Sequence, residues 1–224
     1  MFLYRNVSKT LEWIPWKYKL DLEIMHRLLS WPIVATLPSF ALLAVCSTLC
    51  AGQKPPRDRG EAVTRMVQLQ ESGRYDDAVG VVENWMSQHQ KDASQNDFLH
   101  LQIAIVYTIK TYHRTSTRDE SLHNAALHLE KALNLYDSKE PEAVDNMLSG
   151  IGGGYEILGD LSQKDKCQFY GKARTAYERQ LPLIKGDSYT ANGTTMPLES
   201  FRADVTKHLK SVEEKLTEAG CGRP

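Results

Sequence analysis

The chain has 224 residues, of which 42% are hydrophobic and 25% charged, the proportions of an ordinary globular protein. Twenty-seven Lys and Arg stand against 28 Asp and Glu, a formal net charge of -1, which excludes the basic excess of a general nucleic-acid binder and the high net charge of a disordered chain. Fourteen Gly and nine Pro are too few for a collagen-like or low-complexity sequence.

Residues 1–27 form an N-terminal extension with Trp13, Trp16, Lys17 and Lys19 near its middle. No charged residue lies between Arg27 and Lys54, and the mostly apolar run from Leu28 to Gln53 is 26 residues long. A bilayer core needs about 20 such residues in a helix, and breaks such as Pro32 and Pro38 are tolerated there. Read from Met25, residues 28–53 have the layout of a secretory signal peptide cleaved after Ala51 or Gly52, with residues 1–24 untranslated. Read from Met1, the same residues are an uncleaved transmembrane anchor behind an aromatic and basic edge. Leu43-Ala44-Val45-Cys46 resembles the bacterial lipobox only loosely, since Val45 stands where a small residue is wanted. Each reading places the rest of the chain outside the cytoplasm, exported across or anchored in a membrane, on the periplasmic side in a bacterium. Beyond residue 52 the chain holds 22 basic and 25 acidic residues, a net -3.

After a linker at 54–59, apolar spacing predicts helices over about 60–72, 75–90, 97–113, 118–137, 141–158, 164–185 and 197–219. Thr117-Arg118-Asp119-Glu120 has the form of a capping box, Pro141 and Pro197 suit first-turn positions, and Gly73 and Gly220 suit helix ends. Residues 186–196 read as a polar loop. The fold class is all-α.

A long repeat runs through these helices. Ala78, Val82 and Met86 have the same four-residue spacing as Ala125, Leu129 and Leu133 and as Ala173, Tyr177 and Leu181. The alanines are 47 and 48 residues apart, and Tyr107 and Tyr155 are 48 apart. A small residue followed by larger ones four and eight on lets one helix lie close against another. Recurrence at a fixed period indicates stacked hairpins.

On these residues the chain resembles the tetratricopeptide repeat family over 60–185. Gly73-Arg74-Tyr75-Asp76-Asp77-Ala78 is similar to the turn between that family's two helices. Ala104 and Tyr107 before Ala125, Leu129, Ala132 and Leu133 form a second unit. Leu148, Ile151, Gly152, Tyr155 and Gly159 before Ala173 and Tyr177 form a third. The family period is about 34, shorter than this one, and Arg65, Trp85 and Gln180 stand where it has apolar or small residues. A HEAT-like helical array remains open. The resemblance implies antiparallel helical hairpins stacked as a short solenoid, with 197–219 as a C-terminal capping helix. The stripe Phe201, Val205, Leu209, Val212 and Leu216 covers the apolar end of the last hairpin. An amphipathic helix offered to a partner is the alternative for this segment.

Chemistry is sparsely marked. Gly150-Ile151-Gly152-Gly153-Gly154 has neither the preceding strand nor the third glycine of a dinucleotide fingerprint. It reads as a face of close helix approach, or as a ligand site where bare backbone is exposed. Gly171-Lys172-Ala173 lacks the features of a phosphate loop. The histidines show no metal-protease spacing, and no cysteine pair has zinc spacing. No catalytic set, cofactor or metal ligand set is expected. Two cysteines, Cys167 and Cys221, show no framework, so two unpaired thiols come first and a disulfide in an oxidising compartment second. Asn192-Gly193-Thr194 is a glycosylation sequon, relevant to a eukaryotic source.

These features point to a non-enzymatic scaffold that binds another protein or peptide, with no nucleic acid involved. The family resemblance implies a groove lined by the first helix of each unit. By register its residues are Val67, Gln70 and Glu71, then Leu101, Gln102, Ile105 and Thr108, then Ser149, Gly153 and Glu156. The alternative is a small-ligand or catalytic protein with its site at Gly150–Gly154. A homo-oligomerisation or spacer role for the helical part is a third reading.

Overall fold

The computed structural model describes residues 54–90, 96–137, 147–191 and 194–222. The readings placed on 1–53, on Pro141 and on Asn192-Gly193 lie outside the described residues. Among the described residues seven α-helices follow in order: α1 Arg59–Glu71, α2 Tyr75–Gln88, α3 Asn96–His113, α4 Arg118–Asp137, α5 Met147–Leu161, α6 Lys166–Gln180 and α7 Leu198–Glu218. The described part is all-helical apart from one short hairpin. Helix α1 pairs with α2, α3 with α4, α5 with α6, and α7 lies along α6. Contacts of α2 with α3 and of α4 with α5 join successive pairs, while α1 meets α3 and α3 meets α5.

Local chemistry sets the helix ends. Asp58 accepts from the Glu61 backbone N–H at 2.8 Å, and the Glu61 carboxylate accepts from the Arg57 N–H at 2.8 Å, a reciprocal cap on α1. Gly73 has φ 72°, and the N–H of Arg74 reaches back to the Leu69 carbonyl at 2.9 Å, reversing the chain into α2. The same turn recurs at Gly220, φ 68°, where the N–H of Cys221 reaches Leu216 at 3.0 Å. Thr117 differs from its expected capping role. It ends a 3-10 turn, and its hydroxyl donates to the Arg114 carbonyl at 3.5 Å.

The recurring alanines mark the pairings. Ala78, Ala125 and Ala173 are each 0% exposed, with Val82, Leu129 and Tyr177 buried one turn on. Two core clusters result, one around α1, α2 and the near side of α3, the other from α3 to α7. Phe98 and Tyr107 on α3 pack against both. The stripe predicted on α7 faces the second cluster: Val205 and Val212 are buried, and Phe201, Leu209 and Leu216 pack against it.

Along α5 neighbouring side chains fill the space of the missing Cβ atoms. A Cβ on Gly150 would stand 2.7 Å from Leu101 of α3, one on Gly154 2.8 Å from Leu129 of α4, and one on Gly152 2.7 Å from the Tyr177 ring of α6. At Gly159 the Tyr170 ring of α6 occupies that space. Gly159 therefore belongs to the helix, which runs on to Leu161, past the expected end at 158. Helix α6 stops before its expected end because Pro182 lacks an N–H, and the chain tightens into a 3-10 turn at Leu181–Leu183.

Two expectations are corrected. Within the loop read at 186–196 two antiparallel strands form, β1 Ser188–Ala191 and β2 Thr194–Pro197, with Ala191 opposite Thr194. Cys167 and Cys221 are not unpaired thiols but a disulfide, with Cα atoms 5.5 Å apart across 54 residues of sequence. The turn at Gly220 brings Cys221 back towards the start of α6, which two cysteines without a framework did not reveal.

Two glycines of different surroundings test the packing. Gly80→Ala in α2, with nothing within 4 Å of its Cβ position, is expected to stabilise by about 1 kcal/mol. Gly152→Ala gains the same helix propensity but drives a methyl into the buried Tyr177 ring, and is expected to destabilise by about 1–3 kcal/mol. Urea unfolding of the two variants checks both signs. In the same assay, reducing the Cys167–Cys221 bond or replacing both residues by Ser is expected to cost about 2–4 kcal/mol, since the bond closes a long loop.

Candidate functional site

The first helices of the three pairs carry all ten residues expected to line a groove, and α3 decides how many remain accessible. Val67, Gln70, Ile105 and Ser149 are partly exposed and Glu71 is exposed. Leu101, Gln102, Thr108, Gly153 and Glu156 are buried within the chain. Helix α3 has neighbours on several sides, so a register that suits an edge helix places its residues inside. Leu101 fills the space beside Gly150, and Thr108 returns its hydroxyl to the Ala104 carbonyl at 2.8 Å. Ser149 donates to the Gln180 amide oxygen at 2.5 Å, which anchors that buried polar side chain. The accessible remainder is a strip across α1, α3 and α5, bordered on α3 by the partly exposed Phe98 and Ile109 and the exposed Tyr112.

Glu156 sits at the end of this strip beneath α7, 8% exposed. Lys215 Nζ lies 2.8 Å from its Oε1 and 2.8 Å from Asp160 Oδ2. Ser211 and Tyr177 donate their hydroxyls to it at 3.3 Å each, and His208 Nδ1 stands 3.5 Å away. Tyr170 donates to Asp160 at 2.7 Å, closing the network against α6. Burial alone pushes the Glu156 carboxyl up, but hydrogen bonds and charge from His208 and Lys215 outweigh it and leave it below the usual carboxylate range. Burial likewise pushes Lys215 down, and its bonds to Asp160 and Glu156 carry it above the usual ammonium value. Desolvation and the neighbouring Glu156 raise Tyr177, which stays protonated as a donor. The group therefore holds α7 to α5 and α6, and its four donors converge on one carboxylate rather than on open space.

A second polar group lies where α2, α3 and α4 meet. His100 and His128 face each other with 3.0 Å between their Nδ1 atoms. His128 is 4% exposed, packs near the Tyr107 ring, and turns Nε2 towards Glu83 Oε1 at 3.9 Å. Burial pushes both imidazoles down to about 4, helped by Lys131 at both and by the partner ring at His128, and opposed by Asp97 at His100. The spacing of histidines along the sequence gave no sign of this pair, because its members come from different helices 28 residues apart.

The glycine stretch offers no bare backbone. Residues 150–154 are helical, and Leu101, Tyr177 and Leu129 fill the spaces beside Gly150, Gly152 and Gly154. A ligand bound there would have to displace these side chains, which removes the opening on which the ligand-site reading depended. A cleft of 640 Å³ lies elsewhere, between α4 and the start of α6, lined in part by Arg118, Leu122, Leu127, Glu130, Phe169 and Lys172. It contains none of the ten expected residues. Among the described residues no group of three or more His, Cys, Asp and Glu is placed to hold a metal ion, and no helix is long and apolar enough to cross a membrane.

No protein-family model, curated protein or solved structure matches the chain.

Glu156→Ala would leave Lys215 with Asp160 as its remaining carboxylate and remove the acceptor of the 3.3 Å bond from the Tyr177 hydroxyl. A loss of about 2 kcal/mol is expected in urea unfolding, discounted from a fully buried pair because Lys215 is partly exposed. The carboxyl's lowered folded value means its stabilisation is present above pH 4.5 and is lost as pH falls through that folded value. Glu156→Gln, with no charge to titrate, should flatten that acid limb of the stability profile.

Proposed function

We propose that the chain is an extracytoplasmic, non-enzymatic scaffold of tetratricopeptide-like hairpins that binds another protein or a peptide. The observation that carries this reading is the pairing order: three successive helix pairs with contacts between their first helices, and α7 beside the last pair. That order suits a short solenoid in which α1, α3 and α5 share one face and α7 caps the end. The equal burial of Ala78, Ala125 and Ala173 supports one repeated packing rule despite the long period. The partner face is the strip that holds Val67, Gln70, Glu71, Ile105 and Ser149. Its apolar floor and polar rim suit a protein segment, and the net -3 of the chain beyond residue 52 argues against nucleic acid.

The disulfide supports the placement. A bond between Cys167 and Cys221 persists in an oxidising compartment and is unusual in a reducing cytoplasm. Export or anchoring through residues 28–53 provides the route.

Affinity capture with the full chain in detergent tests the reading. Replacing Gln70 and Glu71 together by Arg is expected to reduce the recovered partner about tenfold or more. Replacing Lys210 and Glu214, exposed on the outer side of α7, is expected to leave recovery unchanged. Equal recovery from all three proteins would place the partner on another face. N-terminal sequencing of the exported protein separates the two forms: a chain beginning near 51–54 means a cleaved signal, and a longer one means an anchor.

A further inference from the structure

We propose that the Cys167–Cys221 bond is a redox latch on the last turn of α7, cleaved by a dithiol while the protein stays folded. Its position carries the inference. Cys167 is exposed and Cys221 partly exposed, and their neighbours Gln168, Gly220 and Gly222 are exposed as well. Neither cysteine belongs to the second core cluster, which α7 meets through Val205 and Val212. A thiolate can therefore reach the sulfurs without any helix opening, whereas a disulfide inside a core waits for unfolding.

The two sulfurs are unequal. Cys167 is the second residue of α6, and Asp165 before that helix gives its first turn no side-chain cap. The first-turn amides thus keep their partial positive charge for a neighbouring anion. Of the charges adjoining Cys167 in sequence, Lys164 and Lys166 favour a thiolate and Asp165 opposes it. Cys221 follows a helix end instead, and its N–H closes the turn on the Leu216 carbonyl at 3.0 Å. A thiol at a helix N-terminus ionises more readily, and the thiol that ionises more readily leaves faster. Attack therefore falls on Cys221, and Cys167 departs.

The step balances with a dithiol as reductant. One of its thiolates bonds to the Cys221 sulfur, the S–S bond breaks, and the electron pair leaves on Cys167. The second thiolate then attacks the reductant's own sulfur in the mixed disulfide and expels the Cys221 thiolate. Two electrons pass to the protein, the reductant becomes a disulfide, and its two protons end on Cys167 and Cys221.

What the latch holds lies next to it in the chain. Lys215 Nζ is 2.8 Å from Glu156 and 2.8 Å from Asp160 of α5, and Leu216 packs against the second cluster. The disulfide ties the following turn to the start of α6, so the end of α7 is fixed to two helices at once. With the bond cut, that end rests on Lys215 and Leu216, while the buried Val205 and Val212 keep the rest of α7 in place.

The full chain in detergent, treated with dithiothreitol at neutral pH and alkylated, tests this by peptide mass, which separates Cys167 and Cys221 from Cys46 and Cys50. Cleavage is expected to rise in proportion to dithiothreitol and to run about tenfold or more faster than global opening, measured by exchange of the most protected α5 amides. With glutathione, quenched early in acid, the mixed disulfide is expected mainly on Cys221. At exchange times of seconds the last turn of α7 is expected to exchange about tenfold faster in the reduced chain, with α1 to α4 unchanged. The double variant Cys167→Ser, Cys221→Ser should match the reduced chain with or without reductant. Cleavage at the rate of global opening, whatever the dithiothreitol concentration, would overturn the proposal. So would a mixed disulfide mainly on Cys167, or a last turn that exchanges equally in the oxidised and reduced chains.

Discussion

The absence of a side chain at Gly150, Gly152, Gly154 and Gly159 of α5 is the constraint on which the other packing depends. Leu101, Leu129, Tyr170 and Tyr177 occupy the space that Cβ atoms on Gly150, Gly154, Gly159 and Gly152 would need. These four side chains come from α3, α4 and α6, so one helix fixes the distance of three others. Each glycine costs about 1 kcal/mol of helix propensity relative to Ala. Fully burying a Leu or aromatic side chain gains about 1.5–3 kcal/mol, so close approach offsets the weaker helix. The same contacts orient Tyr177, whose hydroxyl then reaches Glu156 at 3.3 Å. A segment that resembles a ligand loop in isolation is thus a closely packed helix of the core.

Helix α7 is held by interactions of three physical kinds. Its apolar stripe packs against the second cluster, Lys215 and His208 meet Glu156, and the disulfide ties the turn after it to the start of α6. These respond to different conditions: burial to temperature and denaturant, the ion pairs to pH, the covalent bond to reductant. A terminal helix secured this way turns its apolar stripe into the second cluster. The opposite end is held differently. There the α1–α2 pair packs on α3 through the first core cluster.

What the sequence disclosed follows the range of the interaction concerned. Helix spacing, the turn at Gly73 and the stripe on α7 are local, and each is present in the structure. The alanine recurrence was also legible, because the same small residue sits at the same distance before its larger neighbours. The contacts that define the interior were not. The side chains that fill the spaces along α5 come from about 11 to 49 residues away, and the donors to Glu156 from 21 to 59 residues away. The burial of Leu101, Gln102 and Thr108 on α3 was hidden for the same reason: a helix with neighbours on several sides buries residues that a single-helix pattern cannot distinguish from surface. The hairpin was the exception among the missed features. Asn192-Gly193 between threonine-rich flanks is a strong short-range turn signal that the loop reading passed over.

The account stands on a partner meeting the first-helix face of the stack. Hydrogen exchange of the purified complex, compared with the free chain, measures that directly. The account predicts slowed exchange in the accessible parts of α1, α3 and α5 around Gln70, Ile105 and Ser149, with α2, α4 and the outer side of α7 unchanged. Protection confined to α2, α4 and α6, or to the cleft beside Leu127 and Lys172, would contradict it.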